Sequence, residues 1–387
     1  MAEQLSWILV TITALLLVAQ LFTMLSAFKH LLEHDELPSA TTASLPFIST
    51  IVPARNEAGN IAALLQDLLQ QDYPADRSEV IVVDDGSDDA TLEIAGRSAQ
   101  PCLRVLPLPN ATGKKAAIEF GVEHANGDLI LVTDADARCG RSRLMSIAQA
   151  WHRTKFDMLL MPIAVRTDGS LLQELQANEQ SGFMAVAIAS ARAGTPLIAN
   201  GANMAFRRSV FEALSGYDGN RHIASGDDMF LLEKMRGANK TVASLAVAAA
   251  VVNVPAATTW RSFLDQRLRW AGKMRSTGFG MMSLLPALAL LLPVLLWGST
   301  FNHFVPFGLA LVLWCAWLIP LVVLISSMND TLGRRPAPLS LVMHLMLFSL
   351  YAPAVAMLSA FHRPGWKGRS TRPAPEQYPA EVSGHRP

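Results

Sequence analysis

The sequence predicts an α/β domain on a mainly parallel sheet, framed at both ends by helices able to cross a membrane. Residues 45–255 alternate short β-rich runs with helical patterns, which implies parallel strands joined by right-handed crossovers. Apolar stretches flank this block, one before residue 30 and others after residue 280. Composition agrees, with 51% hydrophobic and 17% charged residues, a balance shifted towards membrane proteins.

Residues 7–28 form an almost uncharged run, long enough to cross a hydrocarbon core of ~30 Å as a helix. The run is long for a signal peptide, lacks a basic flank before it and has no A-x-A site before Lys29. Residues 1–30 therefore read as an anchor. After residue 280 the candidates are 284–297, 305–325 and 339–361, which assigns 281–361 to membrane segments. Arg334 and Arg335 lie between the last two, and Arg363, Lys367 and Arg369 follow the final one. The positive-inside rule places both stretches in the cytoplasm, which a full crossing by 339–361 forbids. That segment carries His344 and Pro353, so a re-entrant or interfacial element stands beside the spanning reading. Residues 362–387 read as a basic, Pro-rich disordered tail. Net charge is zero, which argues against a nucleic-acid partner. Cys102, Cys139 and Cys315 are isolated, without metal-ligand spacing or a disulfide framework, as suits a reducing cytosol.

Within the central block, residues 47–53 predict a first strand. A helix over 60–70 follows, with Ile61, Leu64, Leu65, Leu68 and Leu69 at helical spacing. Residues 80–83 are a second strand closed by Asp84-Asp85-Gly86-Ser87, and Asp88 is placed to cap the next helix. Residues 103–106 make a third strand and 116–124 a helix. Residues 129–132 make a fourth strand, which delivers Asp134 and Asp136. Ligands of such sheets bind beyond the carboxyl ends of the strands. Glu57, the Asp84–Asp85 pair and the Asp134–Asp136 pair all stand there. Each alone fits turn chemistry; together they mark a site.

Asp134-Ala135-Asp136 behind a buried strand suits Mg²⁺ or Mn²⁺, which take one or two carboxylates plus substrate phosphates. A solvated acidic turn is the plainer alternative. Gly113-Lys114-Lys115 precedes a helix but is no P-loop, lacking the spaced glycines and the Ser/Thr. Its lysines either reach a diphosphate or stay solvated. Asp227 and Asp228 open a helix after Ser225-Gly226, as an N-cap or as a general base. Residues 256–280 predict an interfacial helix. Trp260, Phe263, Leu264 and Leu268 share one face, extended by Trp270 and Met274. Arg261, Arg267, Arg269, Lys273 and Arg275 stand against the single Asp265. The arginines suit acidic lipids, or Arg269 beside Trp270 clamps a diphosphate.

In order, VPARNE, VVDDGSDD, TDADA, GANMAFRR, SGDD and QRLRW occupy residues 46–276. This series resembles glycosyltransferase family 2 in its membrane-integrated branch. That branch holds the cellulose, chitin, hyaluronan and poly-N-acetylglucosamine synthases and the ceramide glucosyltransferase group. The resemblance implies a GT-A fold over 45–255 and an inverting single displacement from a nucleoside diphosphate sugar, most often UDP. It implies that Pro53, Glu57 and Asp85 line the nucleoside pocket, and Lys114, from its place before a helix, is the lysine expected to reach the nucleotide sugar. Asp136 is the implied main ligand of Mg²⁺ or Mn²⁺. Asp134 lies by the ribose and diphosphate and shares the metal. Gln266, Arg269 and Trp270 would hold the diphosphate, with Asp228 as base. Asp227 stands where the family usually has Glu. Gly201 and Asn203 fall on the acceptor side, in Asn200-Gly201-Ala202-Asn203, where the polysaccharide synthases carry an aromatic-Cys-Gly-Ser element.

That departure and the small membrane complement favour a lipid or short glycan acceptor. The expected protein is a multi-pass enzyme of the inner cell membrane with a cytoplasmic catalytic domain, using a UDP-sugar. Trp366-Lys367-Gly368-Arg369 resembles a tail that lies on the cytosolic side in bacterial and ceramide-type members. The rival readings are a processive polysaccharide synthase subunit and a catalytically idle nucleotide-sugar-binding scaffold. The idle reading predicts a broken motif, yet Asp85, Asp136, Asp228, Gln266, Arg269 and Trp270 are all present.

Overall fold

A computed structural model describes residues 1–33, 35, 37, 45–98, 100–110, 113–221, 226–276, 281–359 and 361. The tail 362–387, with its Trp366–Arg369 motif, lies outside the described residues, as does Ser225; so do the side chains of Lys273, Met274 and Arg275.

Four parallel strands form one half of the main sheet: β1 (Ile48–Ala54), β2 (Ser78–Asp84), β3 (Leu103–Pro107) and β4 (Leu129–Val132). β8 (Met204–Arg207) pairs antiparallel with β4, and β6 (Met158–Leu160) and β9 (Val242–Ser244) complete the order β3-β2-β1-β4-β8-β6-β9. Successive side chains of β1 feed opposite faces. Ile51 packs with Ile118 and Val122 of α4 (Lys114–Glu123), whereas Val52 packs with Leu64 and Leu65 of α2 (Ile61–Leu69). The first four strands are covered on both faces, which is why they read as continuous apolar runs. Pro53 pairs with β2 but lies beyond the last β4 pairing, Ile51 with Val132, so its missing N–H breaks no bond on that side. A second sheet, β5 (Arg138–Cys139), β10 (Val252–Pro255) and β7 (Ile163–Arg166), lies beside the main one.

The helix α3 (Thr91–Arg97) corrects one expectation. Its end is held by Asp89, whose Oδ1 accepts from the Thr91 N–H at 3.0 Å, while Asp88 faces Arg55 at 3.6 Å.

Among the described residues, three helices are long and apolar enough to cross a membrane: α1 (Ala2–Leu31), α11 (Phe307–Thr331) and α12 (Pro338–Leu358). A fourth helix, α10 (Met281–Thr300), contributes a shorter described apolar stretch, Leu290–Thr300. The 22-residue α6 (Leu171–Arg192) joins these helices to the α/β domain, packing on α1, α11, α12 and β7. Arg192, at its end, donates to the carbonyls of His30 (2.9 Å), Leu31 (3.2 Å) and Glu33 (2.6 Å). A cation thus caps the open carbonyls of α1 where the helix dipole favours it. Asp35 holds the same corner, accepting from Arg153, Arg192 and the Ala246 N–H.

The α11–α12 turn docks on α6 through polar groups. Arg334 donates to Glu174 at 3.0 Å and to Asn329 at 2.8 Å, and Asn329 accepts from Ser181 at 2.8 Å. The Arg334 turn and the carboxyl end of α1 are therefore on the side of the α/β domain. Ser6 bonds Asn302 at the opposite end.

Candidate functional site

Register explains which residues meet. Asp134 stands two residues past Val132, level with Pro53. β8 runs antiparallel with Met204 opposite Val132, so Ala202 arrives opposite Asp134; its carbonyl accepts from Thr133 Oγ1 at 3.0 Å. The stretch from Asn200 to Ala202 is thereby brought to the carboxyl edge of the parallel strands. α8 (Asp227–Gly237) points its first turn at the same edge.

The centre is an ion-pair relay. Lys114, the first residue of α4, lies 2.7 Å from Asp134 and 3.2 Å from Asp227. Burial alone would lower its pKa, but the carboxylates of Asp134 and Asp227 outweigh burial and hold it above the usual lysine range. The preceding Gly113, at φ +111°, donates its N–H to Asp85 Oδ1 at 2.9 Å. That backbone conformation suits glycine, so buried Asp85 fixes the turn from which Lys114 projects. Asp84 is occupied differently: its carboxylate accepts from the Ser87 N–H and hydroxyl, as in a turn.

Asp227 and Asp228 are not helix caps. Gly226 holds the cap position in a left-handed conformation, and the two acids form the first turn. They divide the work by burial. Asp227 is 4% exposed and faces Lys114. Asp228 is more open and accepts from the backbone N–H groups of Met229 (2.8 Å) and Gly201 (3.2 Å).

Gly201 has a steric reason to lack a side chain. A Cβ there would lie 2.6 Å from Asp227 Oδ2 and 3.1 Å from Lys114 Nζ. Gly201→Ala is expected to force the Lys114–Asp227 pair apart, with an overpacking cost of about 1–3 kcal/mol. Thermal unfolding checks this; an unchanged melting temperature would refute the contact.

Asn203 is held within a buried hydrogen-bond network. It is 1% exposed, accepts from Arg143 at 2.7 Å and donates to the carbonyls of Pro162 (2.7 Å) and Ala250 (2.9 Å). These bonds tie the start of the Arg143–Thr154 helix to Pro162 and to the short helical turn at Ala250, and Asn203 is not among the residues that line the cavity.

That cavity has a volume of about 1760 Å³. Pro53, Glu57, Asp85, Asp134, Asp136 and Asp228 line its polar end. Glu57 is held in place, its carboxylate accepting from Asn60 at 2.8 Å and its N–H donating to Thr91 at 2.7 Å. The Asp136 carbonyl accepts from Arg166 at 3.3 Å. No group of three or more His, Cys, Asp or Glu among the described residues forms a ready-made metal cage. Asp134 and Asp136 are an oxygen-only pair, the donor set of an ion that completes its shell with water and phosphate.

The far end of the cavity is apolar and reaches into the membrane helices. Met24 of α1, Trp317 and Leu321 of α11 and Val355 of α12 line it. Ala19, Thr23 and Ser26 of α1 belong both to this lining and to the exposed surface, so the cavity opens along that helix.

Between the two ends lies α9 (Trp260–Ser276), which presents Gln266, Arg269 and Trp270 to the cavity. Its packing differs from the expected apolar face. Trp260 and Leu264 are exposed, while the buried stripe is Phe263 followed one turn on by Arg267. The Arg267 guanidinium lies 4.4 Å from the ring centroids of both Phe263 and Trp270. It pairs with buried Glu179 of α6 at 2.7 Å through Nε, and again through Nη2. It also donates to Gln266 Oε1. The sequence places Arg267 only among the arginines that suit acidic lipids. The available signal was its spacing of four from Phe263 and three from Trp270.

Residues 49–215 match the family described as glycosyl transferase family 2. Glycosyltransferase AglE of Haloferax volcanii is 40% identical over 97 residues, 24% of this chain and 32% of AglE. Probable glycosyltransferase YdaM of Bacillus subtilis is 27% identical over 301 residues, 70% of this chain and 66% of YdaM. Beta-monoglucosyldiacylglycerol synthase of Trichormus variabilis is 33% identical over 116 residues, 29% of this chain and 25% of the synthase. The alignments thus span less than two thirds of each relative. Among solved structures, mannosyltransferase PcManGT from Pyrobaculum calidifontis, in complex with GDP-Man and Mn²⁺, superposes with a TM-score of 0.60 at 21% identity. It covers 94% of this chain and 100% of its own. The fold is GT-A-like, and residues 49–215 of this chain are a glycosyl transferase family 2 domain.

Proposed function

We propose that the protein transfers a sugar, with inversion, from a nucleoside diphosphate donor to a lipid acceptor in the membrane. The carrying observation is the single cavity that joins the Asp134–Asp136 and Asp228 carboxylates to the apolar helices. Two related names support the reading. The Trichormus relative is named for making a glycolipid, and the archaeal fold neighbour was solved with GDP-Man and Mn²⁺. UDP is the donor nucleotide the motif order favours.

Asp136 and Asp134 would hold Mg²⁺ or Mn²⁺, which supplies charge stabilisation to the departing diphosphate when bound. Pro53, Glu57 and Asp85 shape the nucleoside end, and Lys114 and Arg269 place positive charge at the diphosphate. Asp228 removes the proton of the acceptor hydroxyl. The freed oxygen bonds to the anomeric carbon as the bond from that carbon to the diphosphate oxygen breaks. Attack opposite the leaving group inverts the centre. Gln266 and Trp270, set by Arg267, close the site over the acceptor.

The test uses purified full-length protein in lipid vesicles with Mg²⁺ or Mn²⁺, a panel of UDP-sugars and GDP-mannose. At least one donor should be turned over, with loss of turnover on chelation. Inactivity across the whole panel would remove the enzymatic reading.

The domain division follows: anchor 1–30, catalytic domain 45–255, interfacial helix 256–280 and membrane segments 281–361. We place the catalytic domain in the cytoplasm, because the Arg334–Arg335 turn lies on its side and arginines favour that face. α12 touches that side twice, Ser340 on Asn178 at 2.9 Å and Tyr351 against Phe263 with ring centroids 5.4 Å apart. These contacts favour a re-entrant course, whereas the Trp297 bond to Ser349 at 3.0 Å carries the same helix towards the opposite end. In intact cells, a membrane-impermeant maleimide should label His303→Cys and spare Arg335→Cys until permeabilisation. The reverse pattern would invert the orientation.

A further inference from the structure

Two features of the cavity point to the chemical class of the acceptor. The first is charge. Eight carboxylates line the cavity (Glu57, Asp85, Asp134, Asp136, Glu179, Asp227, Asp228 and Glu233) against five Lys or Arg side chains. Those cations are engaged. Lys114 faces Asp134 and Asp227, Arg267 faces Glu179, and Arg236 lies by Glu233. Arg55 donates to the carbonyls of Asp85 and Gly86 and faces Asp88. Arg269 serves the donor diphosphate in the reading above. An acceptor that brings its own phosphate would enter next to Asp228 with no cation assigned to it, and unpaired charge in such a site is costly.

The second feature is an amide nitrogen without a partner. Gln180 of α6 is 4% exposed and lines the cavity, and its buried side-chain Nε2 has no hydrogen-bond partner among the described residues. Its neighbour one turn earlier, Gln176, is fully engaged with the Leu172 and Ala257 carbonyls and the Ala257 N–H. Gln180 is therefore not part of the loop-holding network. A buried amide nitrogen without a partner is uncommon, because it gives up its bonds to water. A half-turn about its last torsion exchanges oxygen and nitrogen, so it can offer an acceptor or two donors to a hydroxyl. It sits on the same helix as Phe183 and Met184, which line the cavity further along.

We propose that the acceptor is a lipid with an uncharged, hydroxyl-bearing headgroup, and that the Gln180 amide hydrogen-bonds that headgroup and positions it towards Asp228. This rests on the glycosyl-transfer reading and narrows its substrate. Gln180 is a positioning residue; the proton moves to Asp228.

The experiment uses the full-length protein in phosphatidylcholine vesicles, with the donor found productive in the panel. One set of vesicles carries diacylglycerol and another a polyprenyl phosphate. Transfer to diacylglycerol should exceed transfer to the polyprenyl phosphate by at least about tenfold, the scale of one lost charge contact. Gln180→Leu, close in shape, should raise the acceptor KM about tenfold with kcat little changed and UDP affinity retained. Gln180→Met should behave alike, which separates a lost hydrogen bond from a packing fault. Preference for the polyprenyl phosphate would overturn the proposal and leave the glycosyl-transfer reading standing. So would donor hydrolysis without transfer to diacylglycerol. An unchanged acceptor KM in both variants would overturn the role of Gln180. Failure to turn over any donor would instead remove the underlying reading, and this proposal with it.

Discussion

Asp228→Asn is expected to lower kcat by about 10²–10⁴-fold, the usual contribution of a positioned general base, while UDP binding stays near its original strength. The close ion pairs of Lys114 run to Asp134 and Asp227 rather than to Asp228. Its two oxygens accept from the Met229 and Gly201 N–H groups, and the Lys114 relay runs through its neighbour Asp227. Asparagine keeps one accepting oxygen and the side-chain shape, so the first turn of α8 should survive. What disappears is the capacity to take a proton. Asp227→Asn should give the opposite signature. It removes charge opposing Lys114, so donor affinity and KM should shift more than the chemical step. Rapid-quench turnover and UDP titration on both variants distinguish the cases. Equal losses of UDP affinity would mean that the pair acts as one structural unit, which would end the assignment of Asp228 as base. The assignment matters because the family position beside it usually holds Glu, and sequence alone left open which acid takes the proton.

The legible and illegible parts of this chain differ for physical reasons. β1 to β4 stand within two residues of expectation at nearly every end, because strands covered on both faces are written as unbroken apolar runs. Their polar termini then put Glu57, Asp85, Asp134 and Asp136 at one edge, and the cavity collects all four. α6 was not legible. Its buried positions include Gln176, Asn178, Glu179, Gln180 and Ser181, so its inner face shows no apolar period. Glu179, Asn178 and Ser181 are tolerated there because partners arrive from far along the chain: Arg267 for Glu179, Ser340 for Asn178 and Asn329 for Ser181. Local spacing holds no record of such pairings. Asn203 likewise has partners distant in sequence. Its motif position points at the acceptor side, and Pro162, Ala250 and Arg143 claim its amide.

The Glu179–Arg267 pair carries the second large expectation. Glu179→Ala should destabilise the protein by about 3–5 kcal/mol, because it leaves the Arg267 guanidinium buried and uncompensated. Both side chains are nearly sealed from solvent, at 4% and 6% exposure, so screening offers little relief. The loss should be felt at the site as well. Arg267 orients Gln266 and lies against the Trp270 ring, so a guanidinium that moves towards water takes the cavity wall with it. Turnover should fall together with the apparent melting temperature. The double variant Glu179→Leu with Arg267→Met separates the two effects. Replacing a whole buried pair by apolar groups is often neutral or stabilising, so its melting temperature should return to that of the unsubstituted protein. Turnover should stay low, since Gln266 has lost its donor and Trp270 its cation. A Glu179→Ala protein that melts unchanged would show that the pair does not hold α9 to α6. A double variant with full turnover would show that Arg267 only glues the helix down, and that Gln266 and Trp270 need no orienting partner.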